Sequence, residues 1–187
     1  MSFPRKRESR IELIMKISDL KKHIRDIPDF PKEGIIFKDI STLLKNQQAF
    51  QKSIDTLAAA YKKERIQYVV GVEARGFIFG AALAYKLGAG FIPVRKKGKL
   101  PYKTKSVTYQ LEYGMDTLEI HEDAIPADAR VLVVDDLLAT GGTVKAVVDL
   151  LKTQKVKIIG VAFLVELLFL KGKEKLKDLP IYSVIKY

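Results

Sequence analysis

Hydrophobic positions follow two periods along the chain, and their alternation predicts a layered α/β fold. Short apolar runs rich in Val and Ile, typical of strands buried on both faces, occupy residues 68–72, 91–94, 131–134, 158–165 and 181–185. Apolar residues at helical spacing predict helices before or between these strands, at residues 47–64, 77–87 and 143–155. Because strands and helices alternate, we predict a doubly wound, mostly parallel sheet with flanking helices.

A third pattern, with every second residue apolar, lies between residues 106 and 121. The alternation runs from Val107 to Tyr113, breaks at a turn near Gly114 and resumes at Leu118 and Ile120. This pattern predicts a β-hairpin rather than strands of the sheet core. We interpret it as a flexible flap.

The first residues differ from the rest in composition. Residues 1–15 are charged and follow no periodicity, so they are predicted to form a disordered N-terminal extension. The more orderly segment 16–25 predicts a short helix. Residues 16–187 have a length that suits a single domain.

The segment 131–143 carries the most specific chemistry. Its apolar strand is followed by Asp135 and Asp136, where we predict that the strand ends, and then by the loop Thr-Gly-Gly-Thr. The loop opens onto a helix N-terminus, where N–H groups bind phosphate. Carboxylates repel phosphate, so the acids and the loop need a ligand with two different parts. A sugar phosphate meets this need, because its phosphate binds to the loop and its hydroxyls donate hydrogen bonds to the acids. The alternative is a strand with an N-capping Asp and a glycine turn.

Composition narrows the possible partners. The chain has no cysteine, which excludes disulfides and suits a reducing cytoplasm. Its longest apolar stretch, residues 158–170, is interrupted by Glu166 and is shorter than a membrane-spanning helix needs. The formal net charge of +11 indicates polyanionic partners, either nucleic acid or small polyphosphates. The basic run at residues 95–105 contains only Tyr102 as an aromatic, so it lacks a platform for stacking bases; a solvated loop is its other reading.

The chain resembles the type I phosphoribosyltransferase family, and within it the adenine-specific branch. The matching motifs occur in the family's order and lie at residues 27–31, 37–40, 71–77, 95–101, 111–114 and 135–143. The resemblance covers residues 18–187 and departs from the usual pattern at Glu33, where the family has Pro. It implies transfer of a phosphoribosyl group from phosphoribosyl pyrophosphate to adenine with Mg²⁺. It also implies a cytoplasmic homodimer with a hood over about residues 16–45.

The resemblance further implies a role for each matching residue. Ribose would be bound by Asp135 and Asp136, and the 5-phosphate by Ala139, Thr140, Gly141, Gly142 and Thr143. Pyrophosphate would be bound by Glu73, Ala74, Arg75, Gly76, Arg95, Lys96 and Lys99, with a cis peptide near Glu73–Ala74. Adenine would be bound by Ile36, Phe37, Lys38 and Leu137. Glu112 and Arg75 would be catalytic, Tyr113 would belong to the flap, and Mg²⁺ would be held mainly by substrate and water.

Residue chemistry leaves alternatives at individual positions. Phe37 follows two isoleucines and would be read as core without the resemblance. Arg75 has the alternative of a surface ion pair with Glu73, and Glu112 that of a solvent-facing strand residue. Two other functions compete with adenine transfer. One is a nucleic-acid-binding regulator on the same fold, for which the chain has no spare length; the other is an enzyme acting on hypoxanthine, xanthine or orotate.

Overall fold

The computed structural model describes residues 15–110 and 114–187. Its strands are β1 Arg25–Ile27, β2 Phe37–Asp39, β3 Tyr68–Val72, β4 Gly90–Lys96, β5 Thr104–Gln110, β6 Met115–His121, β7 Arg130–Leu138, β8 Lys157–Glu166 and β9 Ile181–Lys186. Its α-helices are α1 Ser41–Leu44, α2 Gln47–Tyr61, α3 Gly76–Leu87 and α4 Gly142–Lys152. Short 3-10 helices lie at Ile17–His23, Leu168–Leu170 and Gly172–Leu176.

Seven strands form one mixed sheet in the order β5-β6-β4-β3-β7-β8-β9. Five neighbouring strands of this sheet run parallel, in the order β4, β3, β7, β8 and β9, which confirms the predicted α/β fold. The predicted hairpin is present as β5 and β6, but it is not separate from the sheet, because β6 pairs with β4 at Arg95 and Lys96. The hairpin therefore extends the sheet edge beside the basic run.

Two helices end earlier than predicted. α2 ends at Tyr61 rather than near residue 64, and α4 ends at Lys152 rather than 155. Arg65 and Lys155 adopt φ values of 48° and 57°, a left-handed conformation that a right-handed helix cannot include. The hydrophobic periodicity of the sequence gives no sign that the backbone becomes left-handed at these residues.

β7 extends further than predicted. Its pairing with β3 stops at Val134, but its pairing with β8 continues to Leu138. Asp135 and Asp136 therefore lie within the strand, not at its end. They follow the point where β3 stops, so their backbone is held by β8 while their side chains stand at the carboxyl edge of the sheet.

The core has a layer on each face of the sheet. α2 and α3 cover one face with the large side chains Leu57, Phe79 and Leu83, and the first 3-10 helix adds Leu20. α4 covers the other face together with the inner side of the β5–β6 hairpin. No helix among residues 15–110 and 114–187 is long and apolar enough to cross a membrane.

The N-terminal segment forms a small separate sheet. β1 and β2 pair antiparallel over three residues each, and the helix predicted at residues 16–25 is the 3-10 helix Ile17–His23. Met15, the last residue of the predicted extension, packs partly buried against the core. Residues 1–14 lie outside the described residues, so the extension and the hood boundaries stay predictions.

Candidate active site

Two loops meet at the carboxyl edge of β3 and β7. The loop after β3 brings Gly76 against β7 so closely that a Cβ there would lie 2.7 Å from Asp135 Oδ1 and 3.0 Å from the Val134 carbonyl oxygen. Only glycine allows this approach without displacing the strand. The loop predicted to bind pyrophosphate is therefore in direct contact with the acid pair.

The acid pair is largely removed from water. Asp136 is buried, and Asp135 is half-buried and accepts a hydrogen bond from the Asp136 backbone N–H at 2.9 Å. Burial raises the pKa of Asp135 well above its ordinary 3.8, and the Asp136 carboxylate raises it further. Burial also raises the pKa of Asp136, although the Arg75 guanidinium opposes that shift. Two such acceptors suit the donating hydroxyls of a sugar.

Arg75 links the acid pair to the hood. Its Nε lies 2.9 Å from Asp136 Oδ2, and its guanidinium lies 5.2 Å from the centre of the Phe37 ring. The ion pair is close but poorly aligned, because Asp136 Oδ2 has no hydrogen bond of good geometry among the described residues. The expected alternative, a pair between Arg75 and Glu73, does not form. Arg75 is 40% exposed, so it remains accessible to a ligand.

Glu73 instead accepts hydrogen bonds from residues of the basic run. Its carboxylate accepts hydrogen bonds from Lys99 Nζ at 2.8 Å, from Arg95 Nε at 3.3 Å and from the Lys96 backbone N–H at 3.0 Å. Burial by itself raises the pKa of Glu73, but the Lys99, Lys96 and Arg95 contacts outweigh it and lower the pKa to about 2. The Lys96 side chain turns away to Asp116, at 3.0 Å. The peptide Glu73–Ala74 is cis, as predicted.

The loop after β7 encloses a small cavity. Its volume is about 80 Å³, and its lining consists of Asp135, Leu137, Leu138, Ala139, Thr140, Gly141, Gly142, Thr143 and Val144. Gly141 has φ 77° and stands immediately before α4, so the loop turns sharply into the helix. The lining thus brings Asp135 and the predicted phosphate loop together on one wall of the cavity.

Sequence reasoning missed the residues that support this loop. A Cβ on Gly141 would lie 2.5 Å from the Gly172 carbonyl oxygen, so the last 3-10 helix packs directly behind the loop. The Tyr109 hydroxyl lies 3.4 Å from Thr143 Oγ1, and Lys175 Nζ lies 4.0 Å from the position of a Cβ on Gly142. These residues come from distant parts of the chain, and only the alternation around Tyr109 gave any signal.

The residues predicted to bind adenine lie on β2 and β7. Phe37 is half-buried, packs edge-on against Phe30 at 5.1 Å and faces Arg75. Ile36 is 57% exposed beside it, and Leu137 lines the cavity of the phosphate loop. Phe37 is therefore not an ordinary core residue, because one of its neighbours is a cation of the site. The predicted residues Glu112 and Tyr113 lie outside the described residues.

The oxygen-rich acid pair also fits a magnesium ion. Mg²⁺ takes one or two carboxylates and completes its shell with substrate phosphates and water. Asp135 and Asp136 offer such oxygens, of which Asp136 Oδ2 is already in an ion pair with Arg75 at 2.9 Å. In those same residues no group of three His, Cys, Asp or Glu side chains is arranged to hold a metal. Two carboxylates fit an ion whose remaining ligands are substrate oxygens and water.

Comparison with known proteins defines the class to which this fold and site belong. Residues 39–186 match the model of the phosphoribosyl transferase domain, and the chain belongs to that family. Individual relatives indicate a narrower class of protein than the family model does. An adenine phosphoribosyltransferase of Citrifermentans bemidjiense is 58% identical over 171 residues, which cover 91% of this chain and 100% of that protein.

Solved structures agree with the sequence relatives. The adenine phosphoribosyltransferase of Thermoanaerobacter pseudethanolicus is 51% identical, with a TM-score of 0.89 over 92% of this chain and 100% of that one. The enzyme of Saccharomyces cerevisiae, complexed with adenine and D-2,5-dideoxy-2,5-imino-altritol 1,6-bisphosphate, is 43% identical, with a TM-score of 0.85 over 90% and 97% of the two chains. The resemblance to the adenine-specific branch is thereby confirmed.

Proposed function

We propose that this chain transfers the phosphoribosyl group of phosphoribosyl pyrophosphate to adenine, giving AMP and pyrophosphate. One observation carries the proposal: Arg75 joins Asp136 to the aromatic Phe37, while Asp135, the other member of the acid pair, lines the phosphate-loop cavity. A sugar phosphate, its leaving group and a planar base thus have adjacent places. In the reaction, the bond from the anomeric carbon to pyrophosphate breaks and the bond to an adenine nitrogen forms.

The sheet side of the site holds the phosphoribosyl group. Asp135 and Asp136 accept hydrogen bonds from the ribose hydroxyls, and the backbone N–H groups of residues 139–143 bind the 5-phosphate at the start of α4. Positive charge develops on the ribose as the leaving group departs, and the acid pair lies where it stabilises that charge. No covalent enzyme intermediate is needed, since positioning and electrostatics supply the rate.

The leaving group is received by the basic residues around the cis peptide. Arg75 with the backbone of Ala74 and Gly76 faces the pyrophosphate, and Arg95 and Lys99, held by Glu73, add charge. Lys96 contributes through its backbone N–H, which donates to Glu73, because its side chain pairs with Asp116. When bound with the substrate beside Asp135 and Asp136, Mg²⁺ would further neutralise the pyrophosphate charge.

The base is recognised mainly by the backbone. Phe37 stacks on one face of adenine and Leu137 covers the other, while backbone groups of Ile36 and Lys38 read the amino and ring nitrogens of the purine edge. Glu112 exchanges a proton with the purine when the flap that includes Tyr113 closes. A site built this way needs no Asn or Gln to select adenine, and backbone donors and acceptors hold their positions without a side-chain entropy cost.

A second copy of the chain is the proposed partner. α3 begins at the pyrophosphate loop and carries an exposed apolar stripe at Ile78, Ala81 and Tyr85, with Tyr85 90% exposed. Residues at this spacing share one helix face, and such a face suits burial against its own copy in a symmetric dimer. We place the enzyme in the cytoplasm, where adenine and phosphoribosyl pyrophosphate occur.

A pyrophosphate-release assay with a panel of bases tests the function. Adenine should be preferred over hypoxanthine by about 10⁴-fold in kcat/KM, because a 6-oxo purine presents an acceptor to a backbone acceptor and leaves buried polar groups unpaired. Comparable efficiency with hypoxanthine or guanine would assign the chain to another branch of the family. Release with no base at all would contradict the proposal.

A further inference from the structure

Tyr187 contacts the hood at a place that the proposed reaction does not use. The Lys38 Nζ lies 4.1 Å from the centre of the Tyr187 ring, and the Lys21 Nζ lies 4.7 Å from it. Both distances are within the range of a cation–π contact. Lys38 belongs to β2, and Lys21 to the first 3-10 helix, so the ring joins two hood elements.

The Tyr187 backbone is fixed to the main sheet. Its N–H donates to the Glu166 carbonyl oxygen at 2.9 Å, and its own carbonyl oxygen accepts from the Leu168 N–H at 2.8 Å. The ring is half-buried and packs against the core cluster that includes α2 and α3. Tyr187 is thus a rigid support that extends from β8 and β9 to the hood.

β2 needs such a support. It has three residues and pairs only with the three residues of β1, and a two-stranded sheet of this size is marginal by itself. Successive side chains of a strand point to opposite faces, so Lys38 is directed away from Phe37. The Lys38 side chain is only 12% exposed, and it is held between the Tyr187 ring and Asp26, whose Oδ1 is 2.7 Å from Nζ.

We propose that Tyr187 is a positioning residue for base recognition, which holds Lys38 and with it the β2 backbone at a fixed distance from the ribose site. The inference rests on the proposed function, in which the backbone of residues 36–38 reads adenine. Phe37 and Arg75 form a second link that reaches β2 itself, but they lie inside the site. The rest of the hood packs against the main core through Leu20, Ile40 and Leu43. Small displacements of a bound reactant cost rate steeply, so a support outside the site affects how well adenine binds and reacts.

The test separates the π face of the ring from its bulk. Tyr187→Leu keeps apolar packing and removes the π face; it should raise the KM for adenine about fivefold, the scale of a partly desolvated cation–π contact, and leave the KM for phosphoribosyl pyrophosphate within about twofold. Tyr187→Phe keeps the π face and should behave as the wild type. Lys21→Met, which removes the cation that is not on β2, is the matched control and should leave the KM for adenine unchanged.

A double-mutant cycle then identifies the partner. Lys38→Met keeps the backbone of β2 and should raise the KM for adenine at least as much as Tyr187→Leu, and adding Tyr187→Leu to it should have no further effect. Additive effects, equal changes in both KM values or a wild-type KM in Tyr187→Leu would each overturn the inference while leaving the proposed function intact. A wild-type chain that releases no pyrophosphate with adenine would instead overturn the proposed function, and this inference with it.

Discussion

The two sides of the site are built in different ways. On the sheet side, Asp135 and Asp136 are part of β7, and their backbone is fixed by the ladder to β8. On the hood side, Phe37 and Lys38 lie on a three-residue strand that joins the rest of the chain through side chains, by contacts with Arg75 and Tyr187 and by the burial of Ile40 directly after it. A backbone ladder therefore fixes the sheet side, whereas the hood side is positioned by side-chain packing. We therefore expect changes on the sheet side to affect the chemical step, and changes on the hood side to affect adenine binding.

Glu112 is predicted to break this simple division, because it serves the base and yet acts in the chemical step. Glu112→Gln preserves size and hydrogen bonding but cannot exchange a proton, so kcat should fall by about 10²-fold, with a smaller change in KM. Single-turnover measurement of AMP formation checks the effect. Glu122→Gln, an exposed glutamate beyond β6, is the control and should retain wild-type rates. A wild-type single-turnover rate in Glu112→Gln would remove the residue from the mechanism.

The acid pair tests the sheet side. Asp135→Asn or Asp136→Asn should lower kcat at least about tenfold, because the amide cannot stabilise the developing charge of the ribose.

The stability of the fold should respond differently to the Asp135 substitution. Since burial raises the pKa of Asp135 above its unfolded value, its ionisation destabilises the fold as pH rises through the raised pKa. At neutral pH, Asp135→Asn should therefore unfold at the same temperature as the wild type or higher. Full activity in both variants, or a large loss of stability in Asp135→Asn, would contradict this assignment.

The same division explains which features the sequence predicts. The acid pair and the phosphate loop are contiguous, so residues 131–143 identify them without any long-range information. Even there, the sequence predicts the end of the strand too early, because the pairing of Leu137 and Leu138 with β8 depends on residues far along the chain. The contacts of Arg75 with Asp136 and of Lys38 with Tyr187 depend on the fold, and the sequence contains no local signal for either.

The basic cluster around Glu73 offers a smaller effect that does not depend on turnover. The pKa of Glu73 is lowered from its ordinary 4.5 to about 2, so its contacts stabilise the fold above pH 4.5 and lose that contribution as pH falls toward 2. The contribution should be roughly 1–2 kcal/mol, less than the shift alone implies, because Arg95 and Lys99 remain accessible to solvent. Urea unfolding of the wild type should therefore show a decrease in stability between pH 5 and pH 3 to which Glu73 contributes.

Glu73→Gln should remove that contribution, since the amide still accepts hydrogen bonds but carries no charge to titrate. Its free energy of unfolding should fall less than that of the wild type over the same pH interval, while Glu174→Gln, an exposed glutamate in the last 3-10 helix, should follow the wild type. A Glu73→Gln variant with the wild-type pH dependence would show that the carboxylate does not hold the cations in solution. If the dependence is reduced as expected, the cations of the leaving-group site are ordered by the fold before pyrophosphate arrives. The sheet side would then be preorganised in charge as well as in backbone, and this is the property that separates it from the hood.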